Sequence, residues 1–79
     1  MNKIEKFLNK IPQRDKRMIL KANDLILDGK LDALDVKKLK GAQDLFRVRV
    51  GKYRIFYKIV DEIKIIYRIE RRTDITYNF

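Results

Sequence analysis

Leu45-Phe46-Arg47-Val48-Arg49-Val50-Gly51-Lys52-Tyr53-Arg54-Ile55-Phe56-Tyr57-Lys58-Ile59 carries the clearest structural pattern in the chain. Its residues alternate in character with period two, the mark of a strand with one buried and one open face. Gly51-Lys52 interrupts the alternation. A two-residue turn with glycine first matches a type II′ hairpin, whose first turn residue takes a positive φ. This predicts strands over 45–50 and 53–60, with Val50 opposite Tyr53, Arg49 opposite Arg54 and Val48 opposite Ile55. Phe46, Val48, Val50, Tyr53, Ile55, Tyr57 and Ile59 then share one face. Arg47, Arg49, Arg54 and Lys58 share the other, joined by Phe56.

A third strand is expected over 63–70. A two-residue Asp61-Glu62 loop would bring Ile65, Tyr67 and Ile69 to the basic face. A three-residue loop, 60–62, pairs Ile59 with Ile63 and keeps both faces consistent. Register follows the buried face, so the odd-length loop is preferred. Lys64, Arg68 and Glu70 then join the basic face, with Arg68 beside Arg54. Residues 71–79 leave the sheet, with room for a last short strand.

Upstream, Ile4, Phe7, Leu8 and Ile11 follow i, i+3, i+4, i+7, the apolar stripe of a helix over 3–11. Pro12 interrupts it and suits the first turn of a second helix over about 12–28. Met18, Ile19, Ala22, Leu25 and Ile26 face inward there, and Gly29 is a C-terminal stop. Residues 30–44 read as a connector anchored by Leu31, Leu34, Val36 and Leu39, with Gly41 opening a turn before the sheet. The expectation is one α+β domain over 1–79: an N-terminal helical hairpin packed on a twisted antiparallel sheet of three to four strands.

Composition narrows the chemistry. The 79 residues contain no cysteine and no histidine, and the net charge is +9. Disulfides, thiolate nucleophiles and zinc–thiolate sites are excluded, and so is the usual general base near neutral pH. No metal site and no cofactor is expected. The absence of cysteine suits a reducing cytoplasm, the expected compartment, and no apolar run reaches the length of a membrane span. Residues 1–40 hold eleven of the twenty basic residues, and only Arg14 and Arg17 among them are arginine. Of the nine in 41–79, six are arginine: Arg47, Arg49, Arg54, Arg68, Arg71 and Arg72. Lysine dresses a solvated helix, whereas the planar fork of arginine grips phosphate oxygens in pairs.

Like charges set opposite each other across strands destabilise a sheet, by up to about 1 kcal/mol per pair. Arg49 against Arg54 therefore asks for a compensating polyanion. Phe56 on the same face, and Tyr77 beyond the sheet, add stacking surfaces for single-stranded nucleic acid. RNA carries its own nucleophile, the 2′-OH. A protein need only align the attack, stabilise the developing charge and move two protons. Tyr77, close in sequence to Arg71 and Arg72, is a candidate base if their charge favours tyrosinate. Glu70 is a rival base, or a salt-bridge partner of Arg68 or Arg72.

The ordered set Lys38-Leu39-Lys40-Gly41, the 45–59 hairpin with its Gly51-Lys52-Tyr53-Arg54 turn, Ile69-Glu70-Arg71-Arg72 and the late Tyr77 resembles the RelE/ParE superfamily of toxins. The N-terminal helical hairpin with its Ile11-Pro12 break fits as well. The resemblance implies a toxin of a type II toxin–antitoxin pair with a cognate antitoxin as partner. RelE-like members cut mRNA in the ribosomal A site, while ParE-like members share the fold and poison DNA gyrase. In the favoured RelE-like reading, Arg54 and Arg72 hold the scissile phosphate, Arg47 and Arg49 position RNA and assist proton transfer, and Tyr77 is base or stacking platform. Arg49 thus counts among the catalytic set. Phe56, Lys58, Arg68 and Arg71 complete the nucleic-acid surface. Relatives usually begin with a strand before the first helix. Met1-Asn2-Lys3 leaves no room for one, so an exposed sheet edge filled by an antitoxin segment is expected.

Overall fold

The computed structural model describes residues 2–39 and 44–71. Two helices, α1 (Lys3–Lys10) and α2 (Gln13–Leu27), precede a 3₁₀ turn at Leu31–Ala33 and four strands. The strands are β1 (Asp35–Lys38), β2 (Leu45–Val50), β3 (Tyr53–Val60) and β4 (Ile63–Arg71). They form one antiparallel sheet in the order β1-β2-β3-β4. The architecture is the α+β arrangement expected from the sequence.

Helix boundaries follow local chemistry. The Asn2 side chain accepts the Glu5 N–H at 2.8 Å and caps α1. Pro12 sits at the N-cap of α2, one residue before the first helical position. At the other end Gly29 adopts φ 77°. Its N–H donates to the Ile26 carbonyl and that of Lys30 to the Leu25 carbonyl, the Schellman arrangement that closes a helix.

The core lies between α1 and α2 on one side and the sheet on the other. Ile19, Ala22 and Ile26 of α2 meet Val48, Val50, Tyr53, Ile55, Tyr57 and Ile69. Phe7 packs edge-on against Tyr53 at 5.9 Å, and Phe46 stacks on Tyr57 at 5.0 Å. Met18 departs from the expected inward stripe and is 37% exposed, because α2 turns only its 19-22-26 edge fully to the sheet. Leu25 is half-buried.

The β2–β3 hairpin has the register expected from Gly51, which takes φ 55°. The β3–β4 hairpin corrects the sequence reading. Asp61 and Glu62 both adopt positive φ, 51° and 69°, forming the two-residue turn that the odd-length loop was preferred to avoid. Val60 therefore pairs with Ile63, and Ile59 with Lys64. A bulge resolves the resulting conflict of faces: Tyr57 pairs with Ile66 but Phe56 with Arg68, so Tyr67 is the extra residue. Ile69 returns to the core opposite Ile55, and Glu70 faces Arg54. Lys64 lies on the helix-facing side, not on the basic face, and Arg68 sits across from Phe56, not Arg54. The region read as a connector contains a fourth strand, β1. Its one inward apolar side chain, Val36, is too little signal to announce a strand by alternation. Gly41 and the proposed strand within 72–79 lie outside the described residues.

Candidate functional site: an arginine cleft on the open face of the sheet

Register builds the open face in rows across the strands. One row runs Asp35, Arg49, Arg54, Glu70, and the next runs Lys37, Arg47, Phe56, Arg68. The first row places its two arginines between two carboxylates, which offsets the like-charge cost of setting Arg49 against Arg54. The second row sets an aromatic ring between Arg47 and Arg68, with Lys37 one strand beyond Arg47. Asp35, Lys37, Arg47, Arg49 and Arg54 line a cleft of about 350 Å³.

Glu70 organises this surface. Its Oε1 accepts Arg54 Nη2 at 3.0 Å, and its Oε2 accepts Arg68 Nη2 at 2.8 Å and Nε at 3.0 Å. Both oxygens are thus engaged by guanidinium groups, and Glu70 serves to aim Arg54 and Arg68. Arg54 also carries a buried donor atom that this ion pair does not use. Its Nε is buried and has no hydrogen-bond partner among the described residues. A buried donor left unpaired is costly, and a ligand oxygen in the cleft would satisfy it. Arg47 and Arg49 form no ion pair with another described residue.

Beneath Arg54, its neighbour Tyr53 points into the core and donates to Asp15 Oδ2 of α2 at 2.7 Å. That hydrogen bond, with burial added, raises the Tyr53 pKa above the usual tyrosine value, and Arg71 acts in the opposite direction. Burial alone raises Tyr57. Both hydroxyls therefore stay protonated at neutral pH, and the Tyr53–Asp15 bond ties α2 to the strand that carries Arg54.

The structure brings together Arg47, Arg49, Arg54, Phe56, Lys58 and Arg68, all expected on this face. It separates Arg71, which pairs with Tyr53 on the side of the helices. Arg72 and Tyr77 lie outside the described residues. Sequence reasoning missed Asp35 and Lys37, although Leu34 and Val36 alternating with them carry a weak period-two signal. Tyr67 was also missed, because a bulge cannot be read from alternation. Among the described residues no group of three or more acidic side chains gathers to hold a metal. Among them too, no helix is long and apolar enough to cross a membrane.

A sheet with one face under two helices and the other lined with arginines can now be set beside known proteins. The family model described as "ParE toxin of type II toxin-antitoxin system, parDE" matches residues 2–76. The chain belongs to the ParE toxin family. It is also 44% identical over 43 residues to a Methanocaldococcus jannaschii protein named "Putative toxin RelE1", a match covering 52% of this chain and 48% of that protein. The chain thus spans about half the length of the curated relative it matches. No solved structure matches the chain. These likenesses place it in the RelE/ParE superfamily of toxin–antitoxin toxins.

Proposed function

We propose that this toxin is a ribosome-dependent mRNA endonuclease whose scissile phosphate binds in the arginine cleft. The supporting observation is the convergence of Lys37, Arg47, Arg49 and Arg54 around one cleft, with the buried Arg54 Nε still unpaired. In this reading the 2′-OH of one nucleotide attacks the adjacent phosphorus. As the O2′–P bond forms and the 2′-OH gives up its proton, the P–O5′ bond breaks, the 5′-oxygen takes up a proton and leaves as a hydroxyl, and a 2′,3′-cyclic phosphate remains. Arg54 and Arg49 stabilise the charge that grows on the non-bridging oxygens. Arg47 and Lys37 hold the flanking backbone, and Glu70 keeps Arg54 in its productive orientation. Arg72 and Tyr77 are proposed to reach the same phosphate from the C-terminal segment, with Tyr77 moving a proton. The cleft is lined by Asp35, Lys37 and three arginines and the chain contains no histidine, so alignment by the ribosome is an integral part of this proposal. The partner is a cognate antitoxin whose acidic segment neutralises the basic face, and the compartment is the cytoplasm.

The test is primer-extension mapping of a defined mRNA on programmed ribosomes with wild type and Arg54→Ala. Cleavage inside the A-site codon that disappears in the variant is expected. Intact mRNA with the wild-type protein would reject the nuclease. The ParE description of the family favours a second reading, inhibition of DNA gyrase without chemistry by the toxin. A supercoiling assay separates the two, because a gyrase inhibitor blocks supercoiling and leaves ribosome-bound mRNA whole.

A further inference from the structure

The bulge in β4 has a consequence beyond repairing the core. Had the register of the Asp61-Glu62 turn continued without it, Arg68 would face Ile55 in the core and Ile69 would face Arg54 in the cleft. The extra residue reverses both placements and leaves Tyr67 and Arg68, which are consecutive, both beside the open face. Tyr67 is 39% exposed, an edge-strand aromatic with no place in the core. Its ring lies 6.2 Å from that of Phe56, tilted by 47°. The Lys58 ammonium sits 5.9 Å from the ring centroid. Bulges recur where a strand must re-aim a side chain next to a site.

We infer that Tyr67, backed by Phe56 and Lys58, is a stacking platform for one unpaired nucleobase of the strand whose phosphate lies in the arginine cleft. The inference rests on the nuclease reading and adds to it a base-contacting site. Geometry and charge both favour it. Phe56 stands two residues from Arg54 on the same face, about 7 Å along the strand. A base flanking the bound phosphate is therefore within reach of the aromatic pair. The step is bordered by cations: Arg47 and Arg68 flank Phe56, and Lys58 flanks Tyr67. Tyr67 also forms the lip of a second cleft, about 590 Å³, whose lining includes Lys3, Lys6, Lys10 and Arg68. A strand leaving the platform meets further positive charge. Aromatic faces set between basic groups suit single-stranded nucleic acid, since any base offers a π-face while the backbone needs counter-charge.

The experiment measures toxin binding to ribosomes programmed with mRNA whose A-site codon carries 2′-O-methyl riboses, so that no cleavage intervenes. Wild type is compared with Tyr67→Ala, Tyr67→Leu and Tyr67→Phe, each checked for unchanged thermal unfolding. The alanine and leucine variants are expected to bind about tenfold more weakly, while phenylalanine retains affinity. Placing an abasic nucleotide at one codon position is expected to abolish the difference between wild type and Tyr67→Leu. The leucine variant keeps an apolar side chain at the bulge, so its loss reports stacking even if the alanine variant folds poorly. Equal affinity of wild type and Tyr67→Leu, with Arg54→Ala still weakened, overturns the platform and leaves the nuclease reading standing. Failure of the wild type to bind programmed ribosomes removes that reading and the platform with it. Unchanged ribosome binding by Tyr67→Leu with lost antitoxin binding would make this a protein-docking surface and overturn the inference.

Discussion

The two faces of β3 are made by alternate residues of one strand and obey opposite rules. Tyr53, Ile55 and Tyr57 lie under the helices with at most 1% of their surface exposed. Arg54, Phe56 and Lys58, one position along in each case, line an open surface with no covering layer among the described residues. On the buried face the Tyr53 hydroxyl donates to Asp15. The open face leaves a buried donor, Arg54 Nε, unpaired. The apolar core thus lies on one face and the arginine cleft on the other, and each face can be tested almost independently.

The largest effect is expected in the core. Ile55→Ala removes a fully buried side chain and should cost about 2–5 kcal/mol, a large fraction of the stability of a domain this small. Arg49→Ala, on an exposed side chain of the neighbouring strand, should change stability by no more than about 0.5 kcal/mol. It relieves a like-charge pair, so a slight gain is the favoured sign. Urea unfolding of the two variants measures both values. A comparable loss for Arg49→Ala would show that the open face also supports the fold.

Activity should divide the other way. Arg54→Ala is expected to lower cleavage on programmed ribosomes by about 10²-fold or more, the loss typical of removing a group that stabilises transition-state charge. Its unfolding midpoint should stay near that of the wild type. A variant that loses activity only in proportion to lost folded protein would assign Arg54 a structural role.

The contrast between faces also explains what the sequence revealed. The β2–β3 hairpin was legible to the residue because Gly51 fixes the turn and seven alternating apolar side chains fix the register. The helices were legible from their stripes and from Gly29. The β3–β4 register was not, because the buried pattern and the turn disagree by one residue. Asp61 and Glu62 adopt a conformation their side chains resist, and the bulge at Tyr67 absorbs the mismatch. Alternation assumes an unbroken ladder, so it chose the wrong loop. β1 was missed for a different reason. It is four residues long, and only Val36 marks its buried side. Arg47, Arg49, Arg54 and Arg68 were legible as residues of one face, Arg71 was misplaced there, and Arg72 lies outside the described residues. Their carboxylate neighbours were legible in part: the Glu70–Arg68 ion pair was expected and is present, whereas Asp35 belongs to the unseen strand and Glu70 reaches Arg54 only through the bulge.

A smaller effect belongs to the Tyr53–Asp15 bond. Asp15→Ala leaves a nearly fully buried hydroxyl without its acceptor and should cost about 1–3 kcal/mol. The folded-state pKa values of Tyr53 and Tyr57 are raised, so the stability they contribute is fully present below the ordinary tyrosine pKa. It is lost as pH rises through the raised values, where the unfolded chain releases its protons first. Urea midpoints measured from roughly pH 9 to 11.5 should therefore fall with pH. Tyr53→Phe should fall less steeply over that range. An unchanged slope in Tyr53→Phe would remove Tyr53 from the alkaline transition.

The smallest change in stability, and the sharpest test of the division between faces, is expected at Glu70. Its ion pairs join partly exposed groups, with 31% of the Arg54 side chain and 63% of that of Arg68 accessible, so screening by water leaves them worth less than about 1 kcal/mol. Glu70→Gln should hardly move the unfolding midpoint. Its effect on recognition has two opposed parts. Removing a negative charge frees two guanidinium groups for phosphate and should tighten ribosome binding, with a steeper dependence on salt. Removing the clamp also lets Arg54 leave its orientation, which should slow cleavage once the toxin is bound. Tighter binding with slower cleavage is therefore the expected signature of Glu70→Gln. Weaker binding together with slower cleavage would mean that the carboxylate contacts the substrate directly, and that the open face is built around an acid as well as its arginines.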